Sequence, residues 1–212
     1  VATPPYVLIH YADDVERIRR MVAQIGYPLV VKPDSQGSSL GITIVRREQD
    51  LAAALSCCFQ YDSFGVVEQF IAGTEWTVGL LDDLVLPPIQ IETTREFYDY
   101  HAKYDDDTTQ YRFDTGKPLA VLSQIGEMAT EACRALQTRG MVRVDLRLDE
   151  QGQAWVLEVN TIPGMTDHSL VPKAAAHMGI DFAEFCERTI AAAFSGRPPR
   201  PYLLQNPAVA RR

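Results

Sequence analysis

Residues 142–149, VRVDLRLD, and 154–160, AWVLEVN, carry the reading that decides the fold. Both alternate with a period of two, the signature of half-buried strands. On the first, Val142, Val144, Leu146 and Leu148 share one face, and Arg143, Asp145 and Arg147 share the other. On the second, Trp155, Leu157 and Val159 share a face opposite Val156, Glu158 and Asn160. A hairpin loop of two or four residues around Gln151 and Gly152 sets Asp145 across from Glu158 and Arg143 across from Asn160. Two opposed carboxylates repel unless a cation lies between them. Asp145, Glu158 and the Asn160 amide are hard oxygen donors of the kind that hold Mg²⁺ or Mn²⁺ and leave positions open for phosphate oxygens. The same face can also be a solvated one, neutralised by Arg143 and Arg147. The loop that follows puts Gly164 beside this strand, with no side chain to block a ligand.

Upstream, residues 28–32 read as a short buried strand ending in Lys32, whose charge needs a partner there. Residues 34–39 form a polar loop leading to a second strand at 42–45. Gly37, Ser38, Ser39 and Gly41 offer backbone N–H groups and hydroxyls to phosphate oxygens. This loop joins strand to strand and lacks the GxxxxGK[ST] pattern, so it is no Walker A loop; read alone, it is also an ordinary hairpin tip. Glu68 and Glu75 flank the turn at Gly73 between strands expected at 66–70 and 76–81. They are surface charges or acceptors for an adenine amine and ribose hydroxyls. A further strand is expected to reach Ile91. Residues 93–117 show no period, and an irregular stretch of that length suggests a lid or binding loop. It contains Lys103 and Tyr104. Helices are expected at 13–25, 49–59, 119–137, from near Pro172, and at 182–194. Helices and strands occur in clusters, which argues for α+β.

The 212 residues allow one large domain or two small ones. The formal net charge of −8 disfavours nucleic acid or an anionic membrane surface as partner. No apolar run approaches transmembrane length, and the N-terminus lacks the pattern of a signal peptide. Cys57, Cys58, Cys133 and Cys186 form no CxxC pair and read as thiols in a reducing, cytoplasmic setting. The chain begins at Val1 without methionine, as a fragment or processed product would. Residues 197–212, rich in proline and arginine, read as an unpacked tail.

Five collinear blocks then resemble one family. VVKPDSQGSSLGI (30–42), VVEQFIAGTEWTVGLL (66–81), FYDYHAKYDDDTTQY (97–111), GMVRVDLRLD (140–149) and WVLEVNTIPGMTDHSLVPKAA (155–175) are similar in order and spacing to D-alanine–D-alanine ligases. The resemblance runs from the first helix to Phe194. It implies an ATP-grasp fold, two α+β lobes enclosing ATP, with a central lobe over 1–80 and a metal- and lid-bearing lobe over 81–196. It implies that Lys32 and, from the lid, Lys103 contact ATP phosphates, with Ser38 and Ser39 nearby, and that Glu68 and Glu75 hold adenine and ribose. Asp145, Glu158 and Asn160 would bind two Mg²⁺ ions, Glu158 bridging. Arg143 would stabilise the phosphoryl group and the tetrahedral species. Ser169 and Leu170 would grip the second D-alanine carboxylate, the Gly164 N–H would serve the oxyanion, and Ser38 with Tyr104 would shut the lid.

The implied reaction is attack of one D-alanine carboxylate on the γ-phosphate, then attack of a second D-alanine amine on the resulting acylphosphate. The family also carries an N-terminal domain that orients the first D-alanine, expected here to lie outside the chain, and is usually a homodimer. Two other readings stand beside this one. The first is an ATP-grasp ligase with another nucleophile, against which Tyr104 argues, since D-lactate-using relatives differ in this lid. The second is a fragment that binds nucleotide without turnover.

Overall fold

A computed structural model of the chain describes residues 1–37, 39–93 and 109–194. Its strands form two antiparallel sheets. The first, in the order β1–β4–β2–β3, comprises β1 (Tyr6–His10), β2 (Leu29–Pro33), β3 (Thr43–Val45) and β4 (Phe64–Gln69). Helices α1 (Val15–Val22) and α2 (Leu51–Cys58) close one face of it, with Ile9, Ile18, Leu29, Val31, Leu51 and Val67 in a shared core. The second sheet runs β10–β9–β5–β7–β8, built from β5 (Thr74–Leu81), β7 (Ile89–Glu92), β8 (Gln110–Arg112), β9 (Met141–Leu148) and β10 (Ala154–Asn160). The short β6 (Leu84–Val85) pairs with β5.

Helix α3 (Leu119–Leu136) covers one face of this second sheet, packing Ile125 and Ala129 on Trp76, Val78, Val144 and Leu146. Helices α4 (Leu170–His177) and α5 (Phe182–Phe194) share a core with Leu81, Leu86, Ile89 and the fully buried Phe185. Gly79 on β5 is where α4 comes closest, since a Cβ there would lie 2.9 Å from Val171 Cγ1. The strict alternation of β9 is realised: Val142, Val144, Leu146 and Leu148 are buried against α3, while Arg143, Asp145 and Arg147 face the other way.

The sheets exchange at residues 70–73, ahead of the boundary expected at 80, because β5 is the middle strand of the second sheet. A second crossing lies at the N-terminus. Ala2 O accepts the Val156 N–H at 2.9 Å, Thr3 Oγ1 donates to Val156 O at 3.0 Å, and the chain then enters β1. The sequence reading passed over β1, whose Tyr6 and Leu8 are exposed at the sheet edge. The strand expected to reach Ile91 is broken in two, since Pro87 and Pro88 supply no N–H to a ladder. β8 forms inside the stretch expected to be irregular.

The β9–β10 hairpin corrects a second expectation. Asp145 does face Glu158 and Arg143 does face Asn160, but not through a uniform register. Next to the turn the partners are Leu148–Ala154, Arg147–Trp155 and Leu146–Val156, offset by one residue from the register a loop of two or four residues imposes. A β-bulge between Val156 and Glu158 absorbs the offset. Val156 therefore packs on the α3 side and Glu158 on the other, contrary to their expected common face.

The longer turn is organised by Asp149. Its Oδ1 accepts from the N–H groups of Gln151 at 3.0 Å and Gln153 at 2.8 Å, and its Oδ2 accepts from Trp155 Nε1 at 2.8 Å. These bonds, the indole N–H foremost, hold the Asp149 carboxyl below its ordinary value of 3.8. A depressed folded-state value stabilises the fold above 3.8, and that contribution disappears as pH falls through the folded value. Asp149→Ala should therefore unfold at lower urea than the wild type at pH 7, and the gap should close below pH 3.8. Tryptophan fluorescence across a urea and pH series measures it; a gap independent of pH would contradict the account.

Candidate functional site

The open face of the first sheet and the Asp145 face of the second line one cleft of about 480 Å³, within the range of small-molecule sites. Among residues singled out in the sequence, it gathers Lys32, Ser39, Glu68, Glu75, Asp145 and Glu158. Val30, Ile44, Phe70, Ile71 and Leu157 add apolar wall. None of the five stood out as a site residue in the sequence, because an apolar residue in a strand reads as core. The bulge is what brings Leu157 and Glu158, neighbours in the chain, to the same cleft.

At the second-sheet wall Asp145 is the centre of a dense polar cluster. Arg143 donates to it twice, Nε to Oδ1 at 2.9 Å and Nη2 to Oδ2 at 2.8 Å. The buried Thr77 hydroxyl donates to Oδ1 at 2.7 Å, and Asn160 Nδ2 donates to Oδ2 at 3.1 Å and to Glu158 Oε1 at 3.2 Å. Arg143 Nη2 also lies 3.9 Å from Glu158 Oε1. Burial pushes the Asp145 carboxyl up, but the Arg143 charge and these donors outweigh it and hold the group below the ordinary carboxylate value.

The cation the opposed carboxylates require is thus supplied, in part, by Arg143. Yet one guanidinium against two carboxylates leaves a negative charge among these three side chains. Together with the Asn160 amide, this makes a set of hard donors that suits a divalent ion such as Mg²⁺. Thr77 was missed in the sequence; its signal was a hydroxyl at a core-facing register, directly across from Asp145 on β9.

On the first-sheet wall Lys32 finds the partner its burial demands. Lys32 Nζ donates to Glu68 Oε1 at 2.8 Å, and the Glu68 residue is only 7% exposed. The pair is diagonal, since Val30 faces Glu68 and Lys32 faces Val66. The loop after Lys32 is rooted by Asp62, which accepts from Ser35 N at 2.9 Å and Phe64 N at 3.1 Å. A bond from the Ser35 side chain, followed by these two backbone donors, keeps the Asp62 carboxyl below its usual value. Gly41 has φ +73°, and a Cβ there would lie 2.7 Å from the Tyr61 ring, so the loop turns back hard against α2's exit.

At the edge where the sheets exchange, Arg147 Nη1 approaches Glu75 Oε2 at 3.4 Å and Nη2 donates to Gly73 O at 2.8 Å. Burial pushes the Arg147 guanidinium down and Glu75 opposes it.

Gly164, Ser169 and Leu170 form a separate group on the loop entering α4, and none of them lines the cleft. Ser169 Oγ accepts the Thr166 N–H at 3.0 Å and lies 2.9 Å from Thr166 Oγ1. A Cβ on Gly164 would come within 2.9 Å of that Oγ, so the small residue serves the approach of Ser169. The Leu170 side chain is buried in the α4–α5 core. Ser38, Lys103 and Tyr104 lie outside the described residues, as does the tail 197–212.

Comparison with known proteins follows the same outline. A family model described as D-ala D-ala ligase C-terminus matches residues 1–191. A D-alanine–D-alanine ligase of Ectopseudomonas mendocina is 46% identical over 86% of this chain and 57% of its own length. The corresponding ligase of Nitrosomonas europaea is 45% identical over 87% of this chain and 59% of its own. In three dimensions the chain is similar to the Bacillus anthracis D-alanine–D-alanine ligase complexed with ATP. That match has a TM-score of 0.78 and 29% identity, and covers 92% of this chain and 61% of that one. It is similar also to the VanG D-Ala:D-Ser ligase of Enterococcus faecalis, with a TM-score of 0.81 and 30% identity over 91% of this chain and 57% of that one. The chain thus spans under two thirds of the length of these relatives.

The buried hydroxyl on Asp145 gives a direct test of this cluster. Thr77→Val keeps the shape and removes the donor, and should cost about 1.5–3 kcal/mol, the range for a hydrogen bond to a charged group. Thr77→Ser should recover most of that loss. Chemical denaturation of the three proteins decides it, and a neutral Thr77→Val would mean that Arg143 and Asn160 suffice for Asp145.

Proposed function

We propose, from the premise that this chain belongs to the D-ala D-ala ligase C-terminal family, that it is the nucleotide- and metal-binding part of an ADP-forming ligase joining two D-alanines. The fold is that of ATP-grasp ligases, α+β, and the observation that carries the reading is the cleft itself. Lys32 and Arg147, an apolar wall and the carboxylates of Asp145 and Glu158 line the same cleft.

In this reading the base and ribose of ATP lie between the apolar residues of the first sheet and Leu157, near Glu68 and Glu75. Lys32, released in part from Glu68, contacts phosphate oxygens, with Ser38, Ser39 and Lys103 completing the grip. Asp145, Glu158 and Asn160 hold Mg²⁺, which supplies neutralisation of the triphosphate charge when bound. Arg143, already fixed by two bonds to Asp145, directs its remaining positive charge at the transferring phosphoryl group. One D-alanine carboxylate takes the γ-phosphate and ADP leaves. The amine of the second, its carboxylate held at Ser169 and the backbone of Leu170, displaces phosphate to form the dipeptide. Gly164 N–H serves the oxyanion, and Tyr104 with Ser38 closes the lid against water, which would hydrolyse the acylphosphate. The central lobe, the metal lobe and the cytoplasm as the site of action belong to the same proposal. No helix among the described residues is long and apolar enough to cross a membrane.

A second reading, ligation of D-alanine to D-serine, is favoured by the likeness to the VanG enzyme. The higher identity to D-alanine–D-alanine ligases favours the first.

Calorimetry of this chain with MgATP and with metal-free ATP tests the proposal. Binding is expected, and tighter with the metal. Glu158→Gln should remove most of that metal-dependent gain, about tenfold or more in Kd, while metal-free ATP binds as before. Absence of binding in every arm would sink the nucleotide assignment. The acceptor is read from the dipeptide formed when the chain, joined to a relative's N-terminal domain, is given D-alanine with or without D-serine. A mixed dipeptide as main product would favour the second reading.

A further inference from the structure

We infer that Arg147 is a positioning residue for the sugar of the bound nucleotide: it holds the Glu75 carboxylate and the crossing between the sheets as one rigid edge of the cleft. This inference rests on the nucleotide reading given above. Glu75 on β5 and Arg147 on β9 are direct cross-strand partners. Their side chains are 16% and 12% exposed, so neither has the freedom of a surface charge.

The guanidinium reaches three things at once. Nη1 meets Glu75 Oε2 at 3.4 Å, Nη2 donates to Gly73 O at 2.8 Å, and Cζ sits 5.3 Å from the centre of the Phe70 ring. Phe70 and Gly73 bound the crossing at 70–73, and Phe70 and Glu75 both line the cleft. Gly73 presses the crossing onto β9, since a Cβ there, at φ +133°, would fall 2.1 Å from Leu148 O. The backbone is therefore placed by Gly73 and the side chains on either side of it by the neighbouring residue on β9.

Stability alone is a poor account of this pair. A buried ion pair is often matched or exceeded by apolar side chains of similar volume. Here the Nε of Arg147 is buried with no hydrogen-bond partner among the described residues, a further cost. What an arginine adds over an apolar residue is a planar fork, whose two Nη groups here tie the Glu75 carboxylate and the Gly73 carbonyl to one rigid plane. Glu75 held this way accepts from a ribose hydroxyl without first having to be ordered. Arg147 thus sets discrimination for the ribose rather than general affinity for the triphosphate.

The test is calorimetric affinity for MgATP and for its 2′-deoxy and 3′-deoxy forms, in wild type, Arg147→Met and Arg147→Lys. The wild type should prefer ATP over at least one deoxy form by about tenfold, the worth of one hydrogen bond to a charged group. Arg147→Met should reduce that preference to about twofold, and Arg147→Lys, which keeps the charge without the fork, should fall between. Thermal melting of each variant reports the fold separately. Should Arg147→Met not fold, Arg147→Lys decides, and an undiminished preference in it overturns the inference. An undiminished preference in Arg147→Met overturns it too, as does a wild type that binds ATP without regard to the ribose hydroxyls; both leave the nucleotide reading standing. A wild type that binds none of the three overturns that reading and this inference together.

Discussion

A carboxylate held in the interior of a sheet must be met by donors and positive charge, and Asp145 is where this protein meets that demand. It is reached from three strands: by Arg143 beside it on β9, by Thr77 from β5, and by Asn160 from β10. Each contact orders a neighbour. Arg143 is drawn toward both carboxylates, Asn160 is turned to bridge Asp145 and Glu158, and β5 carries a buried hydroxyl, Thr77, near its centre. The result is a preorganised patch of charge on one face of a sheet whose other face is a conventional apolar core under α3. Preorganisation is what lets such a patch act on a developing charge without first rearranging.

The patch becomes a site because a second sheet stands opposite. Two crossings join them: the N-terminal residues that bond to Val156 before entering β1, and residues 70–73 between β4 and β5. Both meet the second sheet close to residues of the cleft. The N-terminal crossing abuts the bulge that turns Glu158 into the cleft, and the other is pinned at Gly73 beside Arg147. The cleft geometry is thus tied to backbone contacts at its two edges, and Lys32 and Glu68 form the facing wall.

Family membership and this geometry point the same way, and the proposed reaction accommodates the separation of the α4 group. Gly164, Ser169 and Leu170 lie off the cleft, on the loop that opens α4. A ligase for two amino acids needs a position for the second one outside the nucleotide slot, so the proposed role of this loop is consistent with its distance from that slot. The relatives extend well beyond the length spanned by this chain, and the whole reaction is a property of that whole.

Periodicity by itself determined the two strands β9 and β10, the faces of β9 and the last helix, because alternation and helical spacing are local and strong there. Chemistry by itself picked out Lys32, Asp145 and Glu158, since charged residues in apolar strands demand partners, whereas Glu68 and Glu75 read equally as surface charges until the family resemblance singled them out. Tertiary structure alone decided how those partners were chosen. The opposition of Asp145 and Glu158 came out as expected, yet through a longer turn cancelled by a bulge, and Val156 changed faces as a result. β1 was illegible because an edge strand can leave apolar side chains in the open, and β7 was mismeasured because two prolines end a ladder that hydrophobicity would continue. The site positions of Thr77, Phe70 and Leu157 were illegible because a core residue and a cleft residue look alike until the facing sheet is in place. Hydrophobic pattern specifies which side of a strand is dry, whereas only the packing of distant segments specifies whether the dry side meets a helix or a ligand.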